Sequence, residues 1–327
     1  MIKAVLIALS SLALTVILGF LIIPLLKRIK AGQPVYKYVE THKSKNGTPT
    51  MGGLFFIAAA VIVYFIFCGF SFRLATFAIT IGVAFASVGF LDDFIKIKRK
   101  QNEGLKPYQK IIFQVAIGLL VGFFAFYNGT TAFYIPFTEI TVDLGVFTVP
   151  VVAVILIAVT NSVNLTDGLD GLASSVSIAY FVFLSIIILL QTAFMKMPYA
   201  RVDEYEKLVY LSLALTGALL GFLLFNTGKA SVFMGDTGSL ALGGFVGGIS
   251  IFSSNGFLIP ILGIMFVLSS ISVIVQVLYY KKTKKRVFLM APLHHHFQLK
   301  GYTEWKIAFV YTLITVVAGC LLLIPYM

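Results

Sequence analysis

The sequence predicts an all-α polytopic integral membrane protein: about ten transmembrane helices, both termini outside, and a small extracytoplasmic β-hairpin. Three observations predict it. The first is composition. Of 327 residues, 59% are hydrophobic and only 12% are charged, against roughly 45–50% and about 25% in a soluble domain. So little charge cannot cover a soluble protein of this size, and so much apolar content excludes disorder. The second is the recurrence of long apolar runs. The third is the uneven placement of Lys and Arg between those runs, in a chain of net charge +12.

A helix needs about 20 apolar residues to cross the hydrocarbon core. Runs of this kind fall at 3–26, 51–69, 74–91, 111–127, 145–162, 172–191, 207–225, 238–253, 258–280 and 304–325. The first carries Lys3 alone ahead of it and no small-residue cleavage site, so it reads as a retained span rather than a signal peptide. The second and third are separated by a short outer turn with Arg73, and the third runs into Asp92 and Asp93. Between the fourth and fifth, residues 131–149 are rich in β-branched and aromatic types around a turn, which predicts the outer hairpin. Between the sixth and seventh, 195–206 holds Pro198 and an acidic cluster, with room for a short surface helix. The remaining runs follow with basic loops between them. No repeat, long linker or low-complexity tract divides the chain, so 1–327 reads as one domain. Cys68 and Cys320 both lie in apolar runs, which argues against a disulfide framework.

Lys/Arg bias sets orientation. Twenty of the 25 basic residues fall on one side of this layout, which makes that side cytoplasmic. The outer side balances its five bases with five acids, so the whole +12 is cytoplasmic. A basic excess can mark a nucleic-acid binder, but this one surrounds five carboxylates at the membrane edge. An anionic substrate is the better partner, and no nucleic acid is expected.

Five segments on that side carry chemistry. Asp92 and Asp93 are adjacent carboxylates near Lys96. Such charges repel unless a cation lies between them or one is protonated. They serve either Mg²⁺ binding and base chemistry or only a solvated helix end. In the segment Asn161–Gly171, Asn164, Asp167 and Asp170 recur at i, i+3 and i+6 and would share one face if helical. No Lys or Arg lies between Lys110 and Lys196 to neutralise them locally. Intramembrane carboxylates of this kind default to function, the alternative being an ion pair with a distant loop. In Phe225–Ser239, Asn226, Gly235, Asp236 and Gly238 precede a helix start. That favours anion binding by free N–H groups with a metal beside it, or simple capping by Asp236 or Thr237. His294, His295 and His296 are consecutive. They cannot all point one way, so hydrogen bonding to phosphates or a nucleotide suits them better than zinc, with at least one of them structural. Lys45 and Thr50 lie in the Gly-rich loop His42–Gly53, which suits phosphate contact or is merely a topology signal. Together the five are equipment for metal-assisted phosphoryl transfer. A transporter for an anionic solute is the competing class, but it would place charges near the midplane and show internal symmetry.

The segments GTPTMGG (47–53), LDDFIK (91–96), NLTDGLDGLA (164–173), VFMGDTGSLALGG (232–244) and PLHHHFQLKG (292–301) resemble the phospho-N-acetylmuramoyl-pentapeptide transferase family. The Asp-Asp and Asn-x-x-Asp elements recur across the wider polyprenyl-phosphate N-acetylhexosamine-1-phosphate transferases, whereas PLHHHFQLKG and TMGG favour the muramoyl-pentapeptide branch. The resemblance implies transfer of phospho-MurNAc-pentapeptide from UDP-MurNAc-pentapeptide to undecaprenyl phosphate, giving lipid I and UMP, with Mg²⁺ as cofactor. It also implies a multi-pass protein of the bacterial inner membrane, in contact with membrane lipid, and a homodimer. By position, it makes Asp92, Asp93, Asp236 and His295 catalytic, with Asp236, Asp92 and Asp167 toward the metal. Lys45, Thr50, Lys96, Lys100, Asn164, Asp167, Asp170, Asn226, His294 and His296 fall to substrate binding. Two departures are visible: Gly228-Lys229-Ala230 stands where a Pro-Ala pair is usual, and Thr41-His42 replaces Ser-His. Neither touches a proposed acid, base or ligand. A single displacement by the lipid phosphate is favoured over prior attack by an Asp to give a covalent phosphosugar enzyme. UDP-GlcNAc is the alternative donor.

Overall fold

The apolar runs fold into helices whose ends are set by the charged and glycine-rich breaks between them. The structure is a computed structural model that describes residues 2–28, 47–70, 73–99, 101, 103–138, 140–194 and 199–326. Its helices are α1 (Ile2–Arg28), α2 (Gly53–Cys68), α3 (Leu74–Arg99), α4 (Pro107–Tyr127), α5 (Thr148–Thr166), α6 (Leu172–Phe194), α7 (Tyr199–Asn226), α8 (Gly235–Phe252), α9 (Ile259–Leu262), α10 (Ile264–Thr283), α11 (Leu293–Leu299) and α12 (Glu304–Leu323).

Among the described residues, eight helices are long and apolar enough to cross a membrane, against about ten expected. The other two expected spans are helical but different in kind. α2 has only 16 residues, and α8 carries six glycines and Asp236 in 18. The expected span 258–280 is broken at Gly263 into the single turn of α9 and the longer α10. α3 runs two turns beyond its expected end, which puts Asp92, Asp93 and Lys96 inside a helix.

α8 is the axis of the bundle. Every residue from Thr237 to Phe252 is buried, and α3, α5, α2 and α6 pack around it. Glycine makes the closest approach possible: a Cβ at Gly89 of α3 would collide with the Asp236 carbonyl. Around this axis, Phe222 of α7 packs on Phe55 and Phe56 of α2, with ring centroids 5.4 and 5.2 Å apart. Tyr180 of α6 and Ser250 of α8 share a buried hydrogen bond of 2.8 Å, which satisfies two hydroxyls that burial would otherwise penalise. The outer faces of α1, α4 and α10 leave large apolar side chains such as Phe20, Phe123 and Leu278 exposed, as lipid contact requires.

The expected hairpin is present. β1 (Ala132–Tyr134) pairs antiparallel with β2 (Thr141–Asp143), with Phe133 opposite Val142. The Tyr134 N–H donates to the Ser254 carbonyl (2.9 Å), which fastens the hairpin just past the C-terminal end of α8. Asp236 lies at the opposite end of that helix, about 27 Å away at 1.5 Å per residue. The described part of the expected surface helix at 195–206 is instead the start of α7. Its acids are used there: Asp203 and Glu204 pair with Arg73, and Glu204 accepts the Leu74 N–H at the start of α3 (2.8 Å).

Candidate active site

Three carboxylates meet where α3 crosses the N-terminus of α8. One oxygen each from Asp92, Asp93 and Asp236 lies within 4.8 Å of the others. Asp92 and Asp93 are fully buried. Repulsion between them is offset by two ammonium groups. Lys96 Nζ is 2.7 Å from Asp92 and 3.0 Å from Asp236, and Lys110 Nζ, from α4, is 3.0 Å from Asp92 and 2.7 Å from Asp236.

The three acids differ in what holds them. Asp93 caps α8 from outside. Its oxygens accept the N–H groups of Asp236 (3.2 Å) and Thr237 (2.9 Å) and the Thr237 hydroxyl (2.7 Å). A helix N-terminus carries free N–H groups and partial positive charge, so a carboxylate there is well placed. This corrects the expectation that these groups wait for a phosphate or that Asp236 or Thr237 supplies the cap. Asp92 accepts the Leu105 N–H (2.7 Å), which draws the 103–106 loop over it. Asp236 accepts from Asn164 Nδ2 (2.9 Å), and the same Nδ2 lies 2.8 Å from Ser239 Oγ.

Asn164, Asp167 and Asp170 do not share a helix face. α5 ends at Thr166, and Gly168 and Gly171 turn the chain, Gly171 with φ +73°. Each residue therefore has its own direction. Asn164 reaches Asp236, as above. Burial, and then the charges of Asp236, Asp93 and Asp170, push the Asp167 carboxyl well above the usual carboxylate range. It thus lies electrostatically close to the triad without belonging to the three-carboxylate group. Asp170 accepts the Ala230 N–H (3.3 Å). Asn226 accepts the Gly171 N–H and donates to the Val232 carbonyl, both at 3.0 Å. Asp170 and Asn226 thus splice the 167–171 turn to the loop ahead of α8.

The three histidines also diverge. His294 is fully buried beside His295 and Tyr311. Burial, with the His295 charge second, holds its pKa well below the ordinary value, so it is neutral at pH 7. His295 Nδ1 lies 3.0 Å from Gln298 Oε1. His296 Nδ1 accepts the Leu289 N–H (3.1 Å), which ties it to the loop after α10. Thr50 is buried against Gly235 beside Asp93, with no hydrogen bond to its hydroxyl among the described residues. Lys45 and Lys100 lie outside the described residues.

The Glycosyl transferase family 4 profile matches residues 74–254, a span that includes all three carboxylates. A phospho-N-acetylmuramoyl-pentapeptide-transferase signature matches residues 45–57. Curated proteins of that name are similar over nearly the whole chain. The one from Clostridioides difficile is 42% identical over 313 residues, 95% of this chain and 94% of the relative. That from Clostridium novyi is 42% identical (97% and 94% covered), and that from Desulfitobacterium hafniense is 41% identical (97% and 96%). The chain belongs to the phospho-N-acetylmuramoyl-pentapeptide-transferase family.

This membership makes the protein a phosphoglycosyl transferase and a multi-pass membrane protein. The donor set suits a hard divalent cation: all candidate ligand atoms are carboxylate oxygens, with no thiolate or imidazole among them. Two ammonium groups already sit at these oxygens, so the site accepts positive charge. Lys110 escaped the sequence reading, which counted it only as a topology signal. Its trace was its place at the head of an apolar run, where a cation is costly without a partner. The Leu105 N–H left no sequence trace, because a backbone group has none.

Proposed function

We propose that this transferase moves phospho-MurNAc-pentapeptide from UDP-MurNAc-pentapeptide to undecaprenyl phosphate, releasing UMP, with Mg²⁺ as cofactor. We place the site at the cytoplasmic face of the bacterial inner membrane. The observation that carries the reading is the convergence of Asp92, Asp93 and Asp236 with Lys96 and Lys110. Asp236 and Asp92 would hold Mg²⁺. When bound, the ion would neutralise pyrophosphate charge and favour departure of UMP. Lys96 and Lys110 supply fixed positive charge for the same oxygens, and Asn164 orients Asp236.

The geometry favours a single displacement. An oxygen of the lipid phosphate attacks the sugar-linked phosphorus, the bond to the bridging oxygen breaks, and UMP leaves with that oxygen. A nucleophilic Asp would need an exposed oxygen, yet Asp93 is fully buried and three hydrogen bonds hold it on α8. Asp93 instead sets the position of Asp236, and the ammonium groups of Lys96 and Lys110 would favour a deprotonated acceptor held beside them.

The test is UMP release by the purified full-length protein in detergent, with Mg²⁺, undecaprenyl phosphate and UDP-MurNAc-pentapeptide, and with UDP-GlcNAc as competitor. Release that depends on all three components is expected. A transporter would release none. Preference for UDP-GlcNAc would move the protein to the wider superfamily's chemistry. A labelled phosphosugar–protein adduct formed without lipid acceptor would overturn the single displacement.

A further inference from the structure

The buried side of α4 is made of Gln114, Gly118, Gly122 and Ala125. Three of these four residues are glycine or alanine, and they bring α4 close to α5. A Cβ at Gly118 would lie 2.9 Å from the Ala153 Cα, and one at Gly122 would strike the Val149 carbonyl. Small residues let two helix backbones approach, but they offer no projecting side chain to fix one helix along the axis of the other. A single polar residue in such a seam can set the register.

Gln114 is that residue. Its side chain is fully buried and exchanges two hydrogen bonds with Asn161 of α5. Asn161 Nδ2 donates to Gln114 Oε1 (2.7 Å), and Gln114 Nε2 donates to Asn161 Oδ1 (3.4 Å). Asn161 Nδ2 also donates to the Ile157 carbonyl (2.7 Å). A carbonyl only accepts, so that bond fixes which end of the Asn161 amide is NH₂, and with it the sense of the pair.

Both amides lie about one turn from the carboxylate triad. Lys110 precedes Gln114 by four residues on α4, and Asn164 follows Asn161 by three on α5, so each shares a face with its neighbour. The two faces converge on one side chain: Lys110 Nζ reaches Asp236 Oδ2 (2.7 Å), and Asn164 Nδ2 reaches Asp236 Oδ1 (2.9 Å). α4 packs mainly on α5, which is itself packed on α8 and α10. Of the two, α4 is therefore the helix that would slide. A slip of one residue moves it about 1.5 Å along its axis, enough to disturb an ammonium group that spans Asp92 at 3.0 Å and Asp236 at 2.7 Å.

We propose that Gln114 is a positioning residue: its amide pair with Asn161 fixes the register of α4 on α5 and so holds Lys110 across Asp92 and Asp236. The consequence for turnover rests on the transferase reading, in which Lys110 supplies fixed positive charge to phosphate oxygens. The register itself does not depend on that reading.

The test reads Lys110 directly. The full-length protein in detergent, without Mg²⁺ or substrates, is treated with trace acetic anhydride, and acetylation of each lysine is followed by mass spectrometry. An ammonium group paired with carboxylates and largely enclosed reacts slowly. In Gln114→Leu, acetylation of Lys110 should rise several-fold, while that of Lys96, on α3, keeps its wild-type rate. Unchanged acetylation of Lys110 would overturn the proposal. So would an equal rise at both lysines, which marks general loosening rather than a lost register. Exchanging the two amides, Gln114→Asn with Asn161→Gln, should return Lys110 to its wild-type rate; a Lys110 still reactive there would count against the pair as the cause. This arm needs no turnover, so it decides the register even if the wild type releases no UMP and the transferase reading fails. The second arm is kinetic. Gln114→Leu should lower kcat for UMP release about tenfold or more with both KM values near wild type, the loss expected when groups supporting a ligating carboxylate are removed. A wild-type kcat in a variant whose Lys110 has come loose would show that the register has no bearing on catalysis. Where Gln114→Leu does not fold, Asn161→Leu carries both arms.

Discussion

Asp92 and Asp93 are neighbours in sequence and do different work. Asp93 is committed to the α8 N-terminus, while Asp92 and Asp236 share the two lysines. Lys110 therefore matters in proportion to how far it offsets repulsion among the acids. Lys110→Met would leave Lys96 alone among two buried carboxylates and a partly exposed one. Its melting temperature without divalent ions should fall, and its rise on adding Mg²⁺ should exceed that of the wild type; equal rises in both would show that Lys110 carries no such load. Asp167 allows a second residue-scale prediction. Burial raises its folded pKa well above the ordinary value. Above about pH 4, the unfolded chain has released the proton that the folded protein keeps. The unfolded state then binds fewer protons, so this group's contribution to stability declines as pH rises through that window. Asp167→Asn mimics the protonated acid and does not titrate. Its melting temperature should thus fall less with rising pH between 4 and 7 than that of the wild type. Parallel curves would mean that Asp167 titrates as an ordinary carboxylate.

The helices show which elements the sequence made legible. Runs of apolar residues located nearly every helix, because length and hydropathy are local properties. They located even α8, although its glycines lower its hydropathy while allowing α3 to close on it. They stopped α3 at the first acids, although Asp92 and Lys96 pair one turn apart within it. In the segment 164–170, the i, i+3, i+6 spacing suggested one helical face. Gly168 and Gly171 were visible there, and two glycines three residues apart break a helix more readily than they continue it. The carboxylate triad was legible as separate motifs. That Asp93 would cap a helix that begins about 140 residues later was not, because capping in trans leaves no spacing to read. The same logic works at the far end of the bundle, where Glu204 of α7 accepts the Leu74 N–H at the start of α3. Glu204→Ala should cost about 1 kcal/mol, the usual loss of a helix-cap acceptor. Turnover should be unchanged at a temperature where both proteins are folded, since the triad lies at the other end of α3. A fall in turnover without a fall in stability would show coupling along α3.

For the whole molecule, the charge distribution and the site agree on one membrane orientation. The basic residues Lys96, Lys98, Arg99, Lys106 and Lys110 cluster where α3 and α4 meet, and the triad lies among them. The hairpin caps the other end of α8, and the described residues around it offer few bases. Lys and Arg near span ends are retained on the cytoplasmic side, so the triad end should face the cytoplasm and the hairpin the exterior. The proposed donor, a charged nucleotide supplied from the cytoplasm, would require the same arrangement. Single cysteines test it directly once Cys68 and Cys320 are replaced by serine. Phe137→Cys, on the exposed hairpin turn, should react with a membrane-impermeant maleimide in intact cells. Glu103→Cys, in the exposed loop over Asp92, should react only after permeabilisation. The reverse pattern would place the triad outside and remove it from reach of a cytoplasmic donor, which would defeat the proposed reaction as well as the orientation.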